Sequence, residues 1–192
     1  MLRRSLALAL LLLATAVPLL AHDKEAEQRA DATAALQRYL EASFRGAEWK
    51  EIAPLVLWER DQEPACLGVI RSFTVTKVRV RDKQATVGSV MFYRLGEYCP
   101  AEQTFTPRPG LEEVIYQLRK KSISWLVEKS NRPGANVDWQ VVRERLKQRL
   151  AQPGLPVAET ARLSHALDRL EKTAAAIGKT PAEAQKAPDR AP

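Results

Sequence analysis

Between Leu67 and Leu95 the chain carries two long runs rich in β-branched and aromatic residues, RSFTVTKVRV and ATVGSVMFYRL, separated only by the polar RDKQ. Runs of this kind around a short polar spacer predict an antiparallel hairpin, and strands this long need a broad hydrophobic partner surface. With the turn centred between Asp82 and Lys83, Val80 stands opposite Ala85, Val78 opposite Val87, Thr74 opposite Met91 and Ser72 opposite Tyr93. One face of the ribbon is then mostly apolar. The same register carried outward places Cys66 opposite Cys99 as a non-hydrogen-bonded pair, whose Cα atoms lie about 4.5 Å apart, close enough for a disulfide. These are the only two cysteines. They lack the C-x-x-C spacing of a redox pair, so the expectation is a structural disulfide worth roughly 3–4 kcal/mol.

Helical periodicity surrounds the hairpin. Residues 23–45 are rich in Ala, Glu, Gln and Arg, and Ala32, Ala35, Leu36, Tyr39, Leu40 and Phe44 recur at helical spacing until Gly46. A shorter helical face, Trp49, Ile52, Leu55 and Val56, is interrupted by Pro54. After the Pro-rich TPRPG loop (residues 106–110), Val114, Tyr116 and Leu118, then Ile123, Trp125 and Val127, alternate as two further strands. NRPGAN makes a turn. Val137 to Leu150 reads as a helix capped by Asn136 or Asp138, and Val157 to Ile177 as another with Leu163, Leu167, Leu170, Ala174 and Ile177 on one stripe, ended by Gly178.

The pattern predicts an α+β fold: a long N-terminal helix packed on a curved antiparallel sheet, with additional C-terminal helices. The segments VTKVRVRDKQATVGSVMFYRLG and EEVIYQLRKKSISWLVEKSNRPG resemble the long hairpin and last strands of the nuclear transport factor two-like superfamily, over residues 25–130. The helices after residue 136 depart from the minimal family fold. The resemblance implies a cone-shaped sheet around a long helix and a pocket inside it, used by some members for catalysis and by many only for binding or assembly. An apolar pocket lined by Tyr39, Phe92, Tyr116 and Trp125 is the corresponding expectation here.

The ends of the chain read differently from its middle. Met1 to Ala21 has Arg3 and Arg4, an apolar Leu-rich stretch and a small-residue region, the order of a secretory signal peptide. Cleavage after Ala21 leaves a polar mature end, while Ala14 and Ala16 offer the better A-x-A for cleavage after Ala16. The predicted organisation is a signal peptide at 1–21, an α+β domain at 23–150, an appended amphipathic helix at 156–178, and a disordered tail at 179–192 that lacks large apolar side chains. An exported chain, periplasmic or secreted, is also where a structural disulfide persists. The whole chain has 30 basic and 23 acidic side chains. Removing the leader takes only two of the arginines, and the remaining basic surplus suits an anionic surface or acidic partner. Nucleic acid is a poor match, since no aromatic-basic motif accompanies the charge.

Chemistry is sparsely marked. No H-E-x-x-H, P-loop, G-x-G-x-x-G or G-x-S-x-G occurs, and no metal or cofactor is expected. The two histidines, His22 and His165, lie outside the segment that resembles the cone, so a His-assisted mechanism within it is excluded by composition. Glu59, Asp61, Glu112 and Glu128 remain as candidate bases and Tyr39, Tyr93 and Tyr116 as donors. The outer face of the hairpin is expected to carry Arg71, Lys77, Arg79, Arg81 and Arg94, joined by Arg119 and Lys121 of the next strand, as a basic face for anionic polymer or lipid headgroups. The reading is a non-catalytic exported binding module for a small apolar ligand or a protein partner. A small pocket enzyme of the isomerase or dehydratase kind is the alternative.

Overall fold

A computed structural model describes residues 3–59, 65–132 and 134–177, with side chains from Lys24 onward. The tail and the loop holding Asp61 lie outside what is described, and of the predicted cleavage region only the backbone is described, within the first helix. The α+β architecture is present. Helix α1 (Arg3–Phe44) leads through α2 (Trp49–Ile52) and one 3-10 turn (Ala53–Leu55) into β1 (Leu67–Val80), β2 (Ala85–Cys99), β3 (Thr104–Lys121), β4 (Ser124–Ser130) and β5 (Asn136–Asp138). Helices α3 (Trp139–Leu150) and α4 (Val157–Ala176) complete it. The strands form one curled sheet in the order β4-β3-β2-β1-β5. It is mixed rather than wholly antiparallel, because Val137, expected to be helical, instead pairs with Val69 in a parallel β5–β1 contact.

Each face of the sheet buries a separate core. On one, Leu36, Tyr39 and Leu40 of α1 pack against Ile70, Val90, Phe92, Val114, Tyr116 and Val127. On the other, Val142 and Leu146 of α3 and Leu163, Ala166 and Leu170 of α4 pack against Val69, Leu95, Tyr98 and Phe105. Gly88 sets how closely α1 approaches: a Cβ there would lie 2.4 Å from Leu36 Cδ2.

The register follows the sequence expectation in the middle and departs from it near the turn. Thr74 pairs with Met91 and Ser72 with Tyr93, but Val78 pairs with Gly88 and Val80 with Thr86. The Asp82 carboxylate accepts from the backbone N–H groups of Gln84 and Ala85, so the turn is longer than two residues. A bulge between Val75 and Lys77 absorbs the extra residue. It also exchanges faces, so Phe73 and Val75 point to the α1 core before it and Val78 after it. The expected apolar face with Ser72, Thr74, Met91 and Tyr93 is therefore the outer one in that half. Two nearer bulges, on either side of Ile70, cancel and restore the register at Leu67–Tyr98. Cys66 and Cys99 are joined by a disulfide, with Cα atoms 4.1 Å apart.

TPRPG is not a loop but part of β3. Pro107 pairs with Gly96 beside a register shift, and β4 covers β3 only from Tyr116 onward, so the prolines occupy a stretch whose second edge needs no donor. Ile123, expected to alternate with Trp125 and Val127, sits in the β3–β4 turn at 90% exposure, outside the strand that buries the other two.

Chain ends of the helices follow familiar chemistry. Gly46 (φ +68°) closes α1, with Ala47 N–H bonded to Ala42 O and Gly46 N–H to Ser43 O. Asp138, one of the two expected caps, accepts from Gln140 N–H. Helix α4 folds back onto the sheet and α3, and Glu159 in its first turn accepts from both Arg149 of α3 and Gln103 of the β2–β3 turn.

Two measurements check these assignments. Replacing both cysteines by Ala opens a crosslink of sequence separation 33, and urea denaturation is expected to show a loss of about 3–4 kcal/mol. Leu170→Ala, at a fully buried α4 position, is expected to lose about 2–5 kcal/mol. Val157→Ala, on the exposed start of the same helix, is expected to match wild type within about 0.5 kcal/mol.

Candidate functional site

The four aromatic residues expected to line a pocket come together on the α1 side of the sheet. Tyr39 meets Tyr116 edge to face at 5.8 Å between centroids, and Phe92 meets Tyr116 at 6.5 Å. Trp125 belongs to the same cluster. All four are buried, and the two clefts described below are lined by other residues. Burial pushes the Tyr39 phenol up to about 12. Tyr116 is raised further by burial and by Tyr39, with a partial offset from its hydrogen bond to Asn136. At neutral pH both phenols keep their protons and can act only as hydrogen-bonding groups. Trp125 Nε1 and Thr86 Oγ1 are buried here without a protein hydrogen-bond partner.

Next to Tyr116, at the disulfide end of the sheet, lies a charged cleft of about 120 Å³ lined by Arg94, Glu97, Arg132, Asn136, Gly68 and Cys66 among others. Arg94 was expected on the outer basic face. It instead shares the inward parity of Val90 and Phe92 on β2, because no bulge intervenes between them, and is 9% exposed. Its Nη1 donates to Glu97 Oε1 at 3.0 Å. Its Nε lies 2.8 Å from Glu112 Oε2, an ion pair whose angle falls outside a hydrogen bond. Arg132 donates to the other Glu112 oxygen, and Arg108 stands 3.8 Å from Glu97. Three guanidiniums thus surround two carboxylates. Gly68 makes room for the assembly: a Cβ there would lie 2.4 Å from Asn136 Oδ1 and 3.0 Å from Arg94 Nη2. The volume admits a few waters or a small ion but no drug-sized ligand.

A wider cleft of about 360 Å³ lies between the start of β3 and α4, where Arg162, His165 and Arg169 face Thr104 and Thr106. Of the other candidate groups, Glu128 is paired with Arg119, Glu59 is exposed, and Tyr93 is half-buried on the outer face. Among the described residues no group of three or more His, Cys, Asp or Glu side chains is arranged to hold a metal ion.

The rest of the expected basic face divides. Arg71 turns away to donate to the Ala174 carbonyl of α4, and Arg119 is engaged with Glu128. Lys77, Arg79, Arg81 and Lys121 are exposed. Glu97 and Arg132 carry no sequence signal of this site and Asn136 only that of a helix cap, since only the fold brings the end of β2, the loop after β4 and β5 to one place. No family model, curated protein or solved structure matches the chain.

Removing one member of the buried network tests its role. Arg94→Met leaves two carboxylates close together with less compensation and is expected to lower stability by about 3–5 kcal/mol in urea denaturation. Arg108→Met, at an exposed guanidinium, is expected to change it by less than about 1 kcal/mol.

Proposed function

We propose that the chain is an exported, non-catalytic binding module of the nuclear transport factor two-like kind, engaging its partner through the basic end of its long hairpin. The observation that carries this reading is the exposure of Lys77, Arg79, Arg81 and Lys121 at the end of the sheet away from the disulfide. Helices α3 and α4 bury sheet residues such as Val69, Leu95, Tyr98 and Phe105 at the opposite end and leave this one uncovered. Such a concentration of like charge raises the local concentration of an anionic partner and speeds its capture.

Export is supported by the disulfide, which persists in oxidising compartments. Among the described residues no helix is long and apolar enough to cross a membrane. Neither described cleft opens onto the buried aromatic cluster, so the reading rests on the basic end rather than on a small apolar ligand.

The small-enzyme reading requires a carboxylate free to take a proton. Glu112, the most secluded acid beside the aromatic cluster, is held instead by Arg94 and Arg132, and both buried phenols are kept protonated. The arrangement therefore favours binding over catalysis.

Retention on a sulfated-polysaccharide column is the direct test. The protein is expected to bind at low ionic strength and elute with salt, and the triple variant Lys77→Gln, Arg79→Gln, Lys121→Gln to elute markedly earlier. Wild-type protein that fails to bind at low ionic strength would refute the assignment.

A further inference from the structure

The two turns at the basic end are physically joined. Lys120 N–H donates to Gln84 O at 2.8 Å, which sets the β3–β4 turn beside the β1–β2 turn on one ridge. Four adjacent strands span only about 15 Å, so charges on this ridge lie within about one or two screening lengths of each other at physiological salt. Arg79, Arg81, Lys83 and Lys121 are exposed on it, with Lys120 half-buried over the Trp125 ring. Asp82 is the acid within the first turn, and its carboxylate is already accepting two backbone N–H groups. Arg119 beside the second turn is neutralised by Glu128.

At the apex of this ridge stands an apolar side chain. Lys121 pairs with Ser124, so Ser122 and Ile123 form a two-residue turn. Ser122 takes the left-handed conformation at φ +57°, and Ile123 follows it at 90% exposure. A two-residue hairpin turn favours Gly, Asn or Asp at its centre, and a β-branched residue contributes nothing to its closure. Ile123 also buries nothing within the chain. An aliphatic side chain held out in water among five cations matches the interface of an anionic bilayer, where headgroups attract the Lys and Arg side chains and the acyl boundary accepts the Ile.

We infer that this ridge docks on membranes containing anionic phospholipid, with Ile123 entering the headgroup–acyl boundary and the surrounding Lys and Arg side chains contacting phosphates. The inference rests on the binding reading above and names its partner. It differs from capture of a soluble polyanion in requiring the Ile side chain.

Cosedimentation of the full chain with phosphatidylcholine vesicles, with or without one third phosphatidylglycerol, tests it beside the polysaccharide column. Binding is expected only to the anionic vesicles and is expected to weaken with added salt. Ile123→Ser should weaken vesicle binding about fivefold and leave polysaccharide elution unchanged. Lys83→Gln with Lys121→Gln should weaken vesicle binding about tenfold or more and shift polysaccharide elution as well. Both changes fall on exposed side chains, and unchanged melting curves would confirm that the variants fold. Polysaccharide retention without vesicle binding, or Ile123→Ser binding vesicles like wild type, would overturn membrane docking and leave the broader reading standing. Failure on both supports would overturn both.

Discussion

Val69 and Ile70 are neighbours in sequence and lie in different hydrophobic cores, and this division across a single pleat is the constraint to which the rest of the molecule conforms. A slip of one residue in β1 would send each side chain to the wrong core, so the strand register cannot drift without losing both. The two bulges around Ile70 let the hairpin bend where it passes from the α1 core to the α3–α4 core, and they cancel in count. The cysteines then meet, and their bond fixes the end of the hairpin away from the turn.

Beside that bond the protein keeps a charged group where apolar packing would be simpler. Withdrawing Arg94 from water is expensive, and such pairs often contribute little beyond what a well-packed hydrophobic group would. Here the compensation comes from the carboxylates of Glu97 on β2 and Glu112 on β3, which also hold the guanidiniums of Arg108 on β3 and Arg132 in the loop after β4. The network therefore ties the loop after β4 to the adjacent strands β2 and β3. Gly68 shows how tightly the backbone has been drawn around it, with no room for a methyl group between Asn136 and Arg94.

The helices, the hairpin and the disulfide were legible because each rests on a local period or a fixed spacing. Leu163 and Leu170 mark one helical stripe, and Cys66 and Cys99 fall into register by counting from one turn. Much of what escaped turned on a single inserted residue. The bulge between Val75 and Lys77 reverses which side chains face inward, and no feature of VTKV announces it. Arg94 was misplaced because its side follows the regular pleat of β2 rather than its charge. Val137 was assigned to a helix because its apolar neighbours continue that period, and only the exposed edge of β1 drew it into a strand. The aromatic residues were grouped correctly in space, yet whether such a group is filled or hollow depends on packing at the scale of a methyl group.

The prolines at 107 and 109 bear on the behaviour of many molecules together. Along the first half of β3 the backbone has a partner on the β2 side only, since β4 begins its pairing at Tyr116. A strand edge of that length without a strand partner is a template on which another chain can build. Each proline deletes an amide donor and fixes a backbone angle, so an approaching strand finds the row of hydrogen bonds interrupted. The same two residues that disguise this stretch as a loop thus protect the sheet from growing into an aggregate.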